Sequence, residues 1–419
     1  MEIPSHWFKP RGYLHFDPRL NYKKALALVS NPESVAQHSF YPFLHQEMTA
    51  KKIKKNEIGD FDVYIKSRHI LYSSHADSHI YAYYTALLSS HYEQKLKEYG
   101  ISDCVLAFRP LGKTNIDFAN DAFLEIKHKK RCSAVALDAS KFFDTLDHEH
   151  LKKAWANIIG ETRLPADHFA VFKSITKFAT CYKKEVYSEF DISPKNPWYK
   201  RTRICSIKEF REIVRKREFI YVNLSNYGIP QGAPISALLS NIYMLEFDKV
   251  MNTLAKECGG SYRRYCDDML FIVNRRCEER VQSEAYLELQ KLKVSLNQDK
   301  TEVRKFWRYG GAQKSNKPLQ YLGFTFDGQR ILLRSSGLAK FSRKMTKALY
   351  LTRNAMDSST SLDTPIRLKK KRLYEQYSHL GYQNYIRYGL KAAKKMQSKA
   401  IKRQLKPLWK RLNNKLDKI

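Results

Sequence analysis

The chain has 419 residues, long for a single hydrophobic core, so two or three packed units are expected. Hydrophobic residues make up 43%, too many for a disordered chain, and no apolar run reaches the roughly 18 residues a membrane helix needs. Lys and Arg number 75 against 42 Asp and Glu, a net charge of +33, and such an excess implies a polyanionic partner.

The N-terminus, "MEIPSHWFKPRGYLHF", lacks the charged-then-apolar order of a signal peptide. Residues 1–60 mix aromatics, Pro and His without a clear period. Asp77 and Ser78 read as the cap of a helix, "HIYAYYTALLSSHYEQKLKEY", that Gly100 ends. "AFRPLGKT" (107–114) fits a relaxed phosphate-loop pattern, but Ala107 replaces the first Gly and Pro110 removes an N–H, so it does not read as a phosphate cradle. "CSAVALDA" (132–139) reads as a buried strand and "HEHLKKAWANII" as the helix behind it. Residues 160–225 contain Pro-rich "DISPKNPWYK" and read as an insertion with some strand. From Pro234 to the Gly259-Gly260 stop, one helix is expected, with Ile235, Leu238, Leu239 and Ile242 as its stripe. A hairpin centred on Asp267 follows, then a helix with Val281, Ala285, Leu289 and Leu292 on one face. "QYLGFTFDGQRILL" reads as another hairpin. From Arg330 onward the chain is basic and helical, with 24 Lys and Arg against 4 Asp and Glu.

Seven cysteines are scattered without a CxxC pair, which argues against a zinc ribbon or a disulfide framework and suits a reducing cytoplasm. "HADSH" (75–79) and "HEH" (148–150) have metal-like spacing but sit at helix starts, where exposed histidines are common. No Ser/His/Asp nucleophile arrangement has supporting context.

Three segments carry the chemistry. In "VALDASKFFDTLDHEHL" (135–151) a buried strand delivers Asp138 at its end. "NYGIPQGAPIS" (226–236) is a Gly/Pro loop opening a helix. "YCDDMLFIV" (265–273) sets Asp267 and Asp268 against an apolar run, where adjacent acids are costly unless a cation compensates. Nucleotidyl transfer asks little covalent chemistry of a protein. It needs two Mg²⁺ ions roughly 3.5–4 Å apart, held by acids on a rigid scaffold. An Asp at a strand end beside an Asp pair on a neighbouring hairpin supplies suitable ligands.

In this order "DASKFFD", "GIPQGAPIS" and "YCDD" resemble the three central palm motifs of reverse transcriptases. "LKVSLNQDKTEV" (292–303) is similar to the fourth, and "YLGFTF" (321–326) to the primer-grip hairpin. The resemblance covers about residues 60–330. With "HFDPRL", "HSFYPF" and the length, the chain most resembles the defence-associated reverse transcriptases of bacteria, class two among them. The resemblance implies an α+β right-hand polymerase with fingers, an antiparallel-sheet palm and a helical thumb. The expected division is an N-terminal extension (1–60), fingers (61–131), palm (132–159), a fingers insertion (160–225), palm (226–330) and basic thumb (331–419).

The family pattern carries over to named positions. Asp138, Asp267 and Asp268 are then the metal-binding, catalytic acids, with two Mg²⁺ ions and Mn²⁺ as a possible substitute. Phe143, five residues after Asp138, lies beneath the sugar and excludes a 2′-hydroxyl. Gln231 lines the nucleotide pocket, and Lys300 approaches the pyrophosphate. Arg109 and Lys113 lie near triphosphate or template, a region that Lys66 and Arg68 also serve. Leu322 and Gly323 form the primer grip. The implied partners are deoxynucleoside triphosphates, a DNA product and an RNA template, a structured non-coding RNA in the resembled subfamily, with no membrane. RNA binding is expected to rest on the last 80 residues, so that deletion from about 340 flattens its salt dependence. Two other readings stay open: an untemplated or protein-primed DNA polymerase, since Tyr is plentiful at 27, and a non-catalytic RNA-binding protein.

Overall fold

Period-two alternation decides the central sheet. In the strand Asp268–Val273 every residue after the acid is buried. Met269, Phe271 and Val273 enter one core, while Leu270 and Ile272 enter another on the opposite face. A strand covered on both faces reads as a continuous apolar run rather than an alternating one. The computed structural model describes residues 6–55, 59–216, 218–297, 300–359 and 370–417. Gln298 and Asp299, within the segment similar to the fourth motif, lie outside the described residues.

Numbered in chain order, the strands are β1 (Phe43–Lys55), β2 (Phe61–Tyr72), β3 (Cys132–Asp138), β4 (Ala179–Tyr182), β5 (Tyr221–Val222), β6 (Ser261–Tyr265), β7 (Asp268–Val273), β8 (Glu302–Tyr309), β9 (Ala312–Ser315), β10 (Leu319–Tyr321), β11 (Phe324–Phe326) and β12 (Ile331–Leu333). The central sheet has the order β6-β7-β3-β8-β9 and is antiparallel throughout. A second sheet runs β2-β1-β4-β5, and a small third sheet β10-β11-β12. The long β1–β2 hairpin and the insertion strands β4 and β5 thus share one sheet.

One face of the central sheet packs on the helices His75–Glu98, His148–Ile158, Ser236–Tyr243, Leu245–Glu257 and Glu278–Lys291. The other face packs on Asn115–Lys129, on β10–β12 and on the C-terminal helices. Each fully buried Leu, Ile or Phe contributes roughly 1.5–3 kcal/mol. N-terminal Leu14 and Phe16 join Leu44, Cys181, Ile204 and Phe210 in a separate small core, so the insertion and the N-terminal residues stabilise each other.

Four local expectations are corrected. The helix starting near residue 75 is capped by Ser74, whose hydroxyl accepts from the Asp77 N–H at 3.2 Å. Asp77 is buried and accepts from His38 Nε2 at 2.7 Å and from the Tyr41 N–H at 3.0 Å. His75 and His79, expected exposed, are buried, stacked on Tyr13 and Phe8 respectively. The helix expected to run unbroken from Pro234 to the glycine stop is two helices, meeting at Met244, whose N–H turns back to Asn241 O at 3.2 Å. The "QYLGFTFDGQRILL" segment forms three strands rather than two, because Leu322-Gly323 and Gly328 each supply a turn with positive φ.

The C-terminal helices do not form a separable unit. Met345, Leu349, Ile401, Leu405 and Leu412 share the core of Leu319 and Phe326. Truncation from about 340 would therefore strip one face of the central sheet, and charge substitutions are the sound way to probe this region.

Candidate active site

Register brings the acids together. β3 and β7 pair so that Asp138 lies opposite Asp268 at the same end of the two central strands. The β6–β7 connection has only Cys266 and Asp267 between paired Tyr265 and Asp268. Cys266 adopts φ 60°, a left-handed conformation costing a non-glycine residue about 1–2 kcal/mol. Two hydrogen bonds hold this turn in place: Ala139 N–H to Asp267 O at 3.2 Å, and Arg264 Nη1 to Cys266 O at 3.1 Å.

Arg264 is the residue that sequence reading missed. It is 0% exposed and donates to both carboxylate oxygens of buried Asp248, at 2.7 and 2.6 Å, and to Asn241 Oδ1 at 3.0 Å. Tyr262, two residues earlier on the same face, donates to Asp248 at 2.8 Å. Burial lowers the Arg264 pKa, but the Asp248 carboxylate outweighs it and leaves the guanidinium above its usual value. A buried pair with all three guanidinium nitrogens engaged fixes the turn above it.

Asp268 faces the cleft yet is crowded from beneath. Burial of its carboxyl first, then the charges of Asp267 and Asp138, raise its pKa from 3.8 to about 6, against the opposing effect of Lys300. The neighbouring segment follows Asp138 closely: Asn297 N–H donates to Asp138 O at 2.8 Å, and Ser140 N–H to Ser295 O at 2.8 Å. This brings Lys300 into an ion pair with the Asp138 carboxylate. These oxygen donors suit a hard divalent cation, which would offset both the burial cost and the repulsion that raise Asp268. Among the described residues, no group of three or more His, Cys, Asp or Glu side chains converges as a ready-made metal cage.

A pH dependence follows. An acid whose pKa is higher in the folded than in the unfolded state binds more protons when folded, so stability falls as pH rises from about 4 to about 6. Asp268→Asn removes that loss. Melting curves for variant and wild type should converge near pH 4, with the variant melting higher near pH 7; a variant melting lower at neutral pH would contradict the crowding of these acids.

Asp138 and Asp268 line a cleft of about 860 Å³. Its walls are basic: Lys66 and Arg68 from β2, and Arg334, Lys340 and Lys344 from the start of the C-terminal helical region. Leu322 and Gly323 also line it. Their turn is pinned by Asn115 Nδ2, which donates to Leu322 O at 3.0 Å, and by the Arg334 N–H, which donates to Gly323 O at 3.0 Å. The basic run beginning at Arg330 was the available signal for the last three wall residues.

Phe143 and Gln231 lie outside the lining, and the loop that carries Gln231 is bonded to the segment that carries Phe143. Lys141, at φ 45°, turns the chain back after Asp138. The Ile229 N–H then donates to Phe143 O and the Gly228 N–H to Leu146 O, at 2.9 and 2.8 Å. Gly228 is required there, since a Cβ would lie 3.1 Å from Asp144 O at φ +88°. Gln231 O accepts from the Leu71 N–H at 2.9 Å, which seats the loop against β2. Phe143 is half-buried against the main core and packs 5.8 Å from the Phe142 ring.

Two expected site residues are elsewhere. Arg109 is buried in a two-pronged pair with Glu93, at 2.7 and 2.6 Å, and also donates to Val105 O at 2.6 Å. Its donors are used internally, so it braces the segment instead of meeting a triphosphate. Lys113 pairs with Asp121 at 3.1 Å and lines a different pocket. His148 Nε2 is bonded to Gly228 O at 2.8 Å, a loop-bracing role.

An antiparallel sheet presenting facing acids at one strand end, in a basic cleft between a long hairpin and a helical region, defines a right-hand nucleotidyl polymerase. The chain belongs to the reverse transcriptase family: the model "Reverse transcriptase (RNA-dependent DNA polymerase)" matches residues 87–326, more than half of it. It is 40% identical over 69 residues to the retron Mx162 reverse transcriptase of Myxococcus xanthus, covering 16% of this chain and 14% of that protein. It is 38% identical over 85 residues to the retron Mx65 reverse transcriptase of the same organism, covering 20% and 19%. The chain thus spans under a fifth of the length of either curated relative. A solved structure of apo telomerase from Candida tropicalis matches at a TM-score of 0.38 and 14% identity, over 77% of this chain and 57% of that one. Among the described residues, no helix is long and apolar enough to cross a membrane.

Proposed function

We propose that this protein is an RNA-directed DNA polymerase that extends a primer 3′-hydroxyl with deoxynucleotides and releases pyrophosphate. The observation that carries the reading is the register of β3 and β7, which sets Asp138 against Asp268 in a basic cleft, with Asp267 in the adjoining turn. Asp138, Asp267 and Asp268 would hold two Mg²⁺ ions, with Mn²⁺ as a substitute. Those ions, when bound, neutralise the triphosphate and favour ionisation of the attacking hydroxyl.

The protein's own part is positioning and charge. Lys66 and Arg68 receive the triphosphate from the hairpin side. Lys300 releases Asp138 and moves to the pyrophosphate side as substrate enters. The Leu322-Gly323 turn seats the primer end, and Gln231 borders the nucleotide. In this reading residues 61–131 and 160–225 act as fingers together with β1, whose pairing with β2 and β4 moves the expected boundary at 60 back to about 43, while 132–159 and 226–330 act as palm, 331–419 as thumb and the residues before β1 as an extension. Primer extension on an RNA template–DNA primer duplex, with deoxynucleotides and Mg²⁺, tests the reading; absence of extension by folded wild-type protein would overturn it.

The template we propose is a structured non-coding RNA, and the role antiphage defence in a bacterial cytoplasm. The relatives named as retron reverse transcriptases and the cysteines, none of which forms a disulfide, support that setting. RNA affinity should fall steeply with salt, each phosphate contact adding about 0.7 to the slope for a single strand. Lys340→Gln with Lys344→Gln should flatten that slope by about 1.4. An unchanged slope would move the binding surface away from this wall.

Sugar choice tests Phe143. A ring beneath the incoming sugar leaves no space for a 2′-oxygen and offers it no partner, and an uncompensated hydroxyl costs about 1–3 kcal/mol. Phe143→Val should therefore lower the ratio of kcat/KM for deoxynucleotide over ribonucleotide by about tenfold or more. If the wild type prefers deoxynucleotides and the ratio does not fall in the variant, Phe143 is not the sugar gate.

A further inference from the structure

The C-terminal region contains a second concavity that shares no lining residue with the catalytic cleft. It has a volume of about 260 Å³ and lies among the helices Lys370–Tyr377, Tyr385–Lys395 and Lys399–Leu416. Its walls are rings and aliphatic chains: Tyr377, His379, Ile386, Leu405 and Trp409. Trp409 is 37% exposed, with the His379 and Tyr374 rings beside it at 4.9 and 5.6 Å. Lys402 and Lys406, one turn apart and both exposed, border the slot.

The adjacent loop is held firmly. Asn384 Nδ2 donates to Glu375 O and Ser378 O at 2.8 and 2.7 Å, and Arg387 Nε to Gly381 O at 3.0 Å. A Cβ at Gly381 would lie 1.8 Å from Glu375 O, so only glycine lets the loop pack this closely. This ordered loop displays Leu380 at 54% and Tyr382 at 90% exposure.

We propose that this slot binds an unpaired nucleobase of RNA, stacked on Trp409, with the flanking phosphates on Lys402 and Lys406. Charge selects the occupant. Residues 370–417 hold 14 Lys and Arg against 2 acids, so a second copy of this face would be repelled, whereas a polyanion is attracted. An aromatic wall in a basic surface is the arrangement that captures single-stranded bases, because every base has a π-face and a duplex hides it. The slot lies apart from the polymerising cleft, so it grips RNA outside the copied stretch. This identifies what holds the RNA partner and rests on the reverse transcriptase reading above.

The test uses full-length protein and three probes: a short unstructured RNA, the same RNA with abasic sites, and an RNA duplex. Trp409→Ala should weaken binding of the unstructured RNA about ten- to hundredfold, with Trp409→Phe restoring most of it. The same substitution should leave duplex binding unchanged, and the wild type should bind the abasic RNA as weakly as the variant binds the intact one. Lys402→Gln with Lys406→Gln should lower the salt slope by about 1.4. Equal loss on single strand and duplex, no loss at all, or a change of oligomeric state in Trp409→Ala would each overturn the proposal. Extension of a short pre-annealed template–primer by Trp409→Ala should match wild type. That last assay reports separately on polymerase activity, so a failed slot and a failed polymerase reading are told apart.

Discussion

Asp267→Ala combined with Asp268→Ala should abolish nucleotide incorporation while leaving the fold and RNA binding in place. Asp268 heads a strand whose other five residues are buried on two faces, and none of that burial involves the acids. Removing two clustered carboxylates relieves the burial cost and, after it, the repulsion that together lift Asp268 to about 6. The Ala139 contact to the turn uses the backbone carbonyl of residue 267 and survives the change. Electrostatic stabilisation of a transferring phosphoryl group supplies most of the catalysis in such reactions, and losing even one preorganised stabilising group typically costs about 10²–10³ in rate. If Asp267 and Asp268 hold metal as proposed, losing both should take single-turnover incorporation below detection. Measurable polymerase activity in the double variant, with circular dichroism and RNA affinity unchanged, would remove the metal-ion reading of this turn.

The second large effect is expected at Arg264. Arg264→Leu leaves Asp248 buried at 0% exposure beside an apolar side chain, with only Tyr262 and no countercharge. Breaking a buried ion pair by removing one partner costs about 3–5 kcal/mol, most of it the penalty of the stranded charge. The double substitution Arg264→Leu with Asp248→Leu removes both charges and should recover much of that loss, as apolar replacement of a buried pair is often neutral or better. Activity separates the two roles. If Arg264 positions the catalytic turn through Cys266 O, the double variant regains its melting temperature but not its kcat. Recovery of both would make Arg264 a purely structural residue; recovery of neither would mean that the pair is not independently replaceable.

The amino-acid order alone determined a good deal. Strand β3 ending at Asp138, the Asp267–Asp268 hairpin and the helix carrying Val281, Ala285 and Leu289 are all written in local periodicity and in Gly or Pro punctuation. Side-chain spacing and turn chemistry act over a few residues, and those residues are adjacent in the chain. The acids and the Gly-Ile-Pro-Gln-Gly loop were legible for the same reason.

What only the tertiary structure decided depends on distant partners. Arg109 and Lys113 look like phosphate ligands in isolation, but Glu93 and Asp121 claim them, and nothing local announces those pairings. Ser74 rather than Asp77 caps its helix because His38 and Tyr41, nearly forty residues upstream, already engage the Asp77 carboxylate. Arg264 goes inside because Asp248 waits there, and a buried arginine is invisible to a pattern that treats charge as surface. The basic wall of the cleft and the apolar attachment of the C-terminal helices likewise arise from packing across several hundred residues of chain. Local sequence sets backbone preference, whereas the partner of a charge is set by what folding brings within about 3 Å of it.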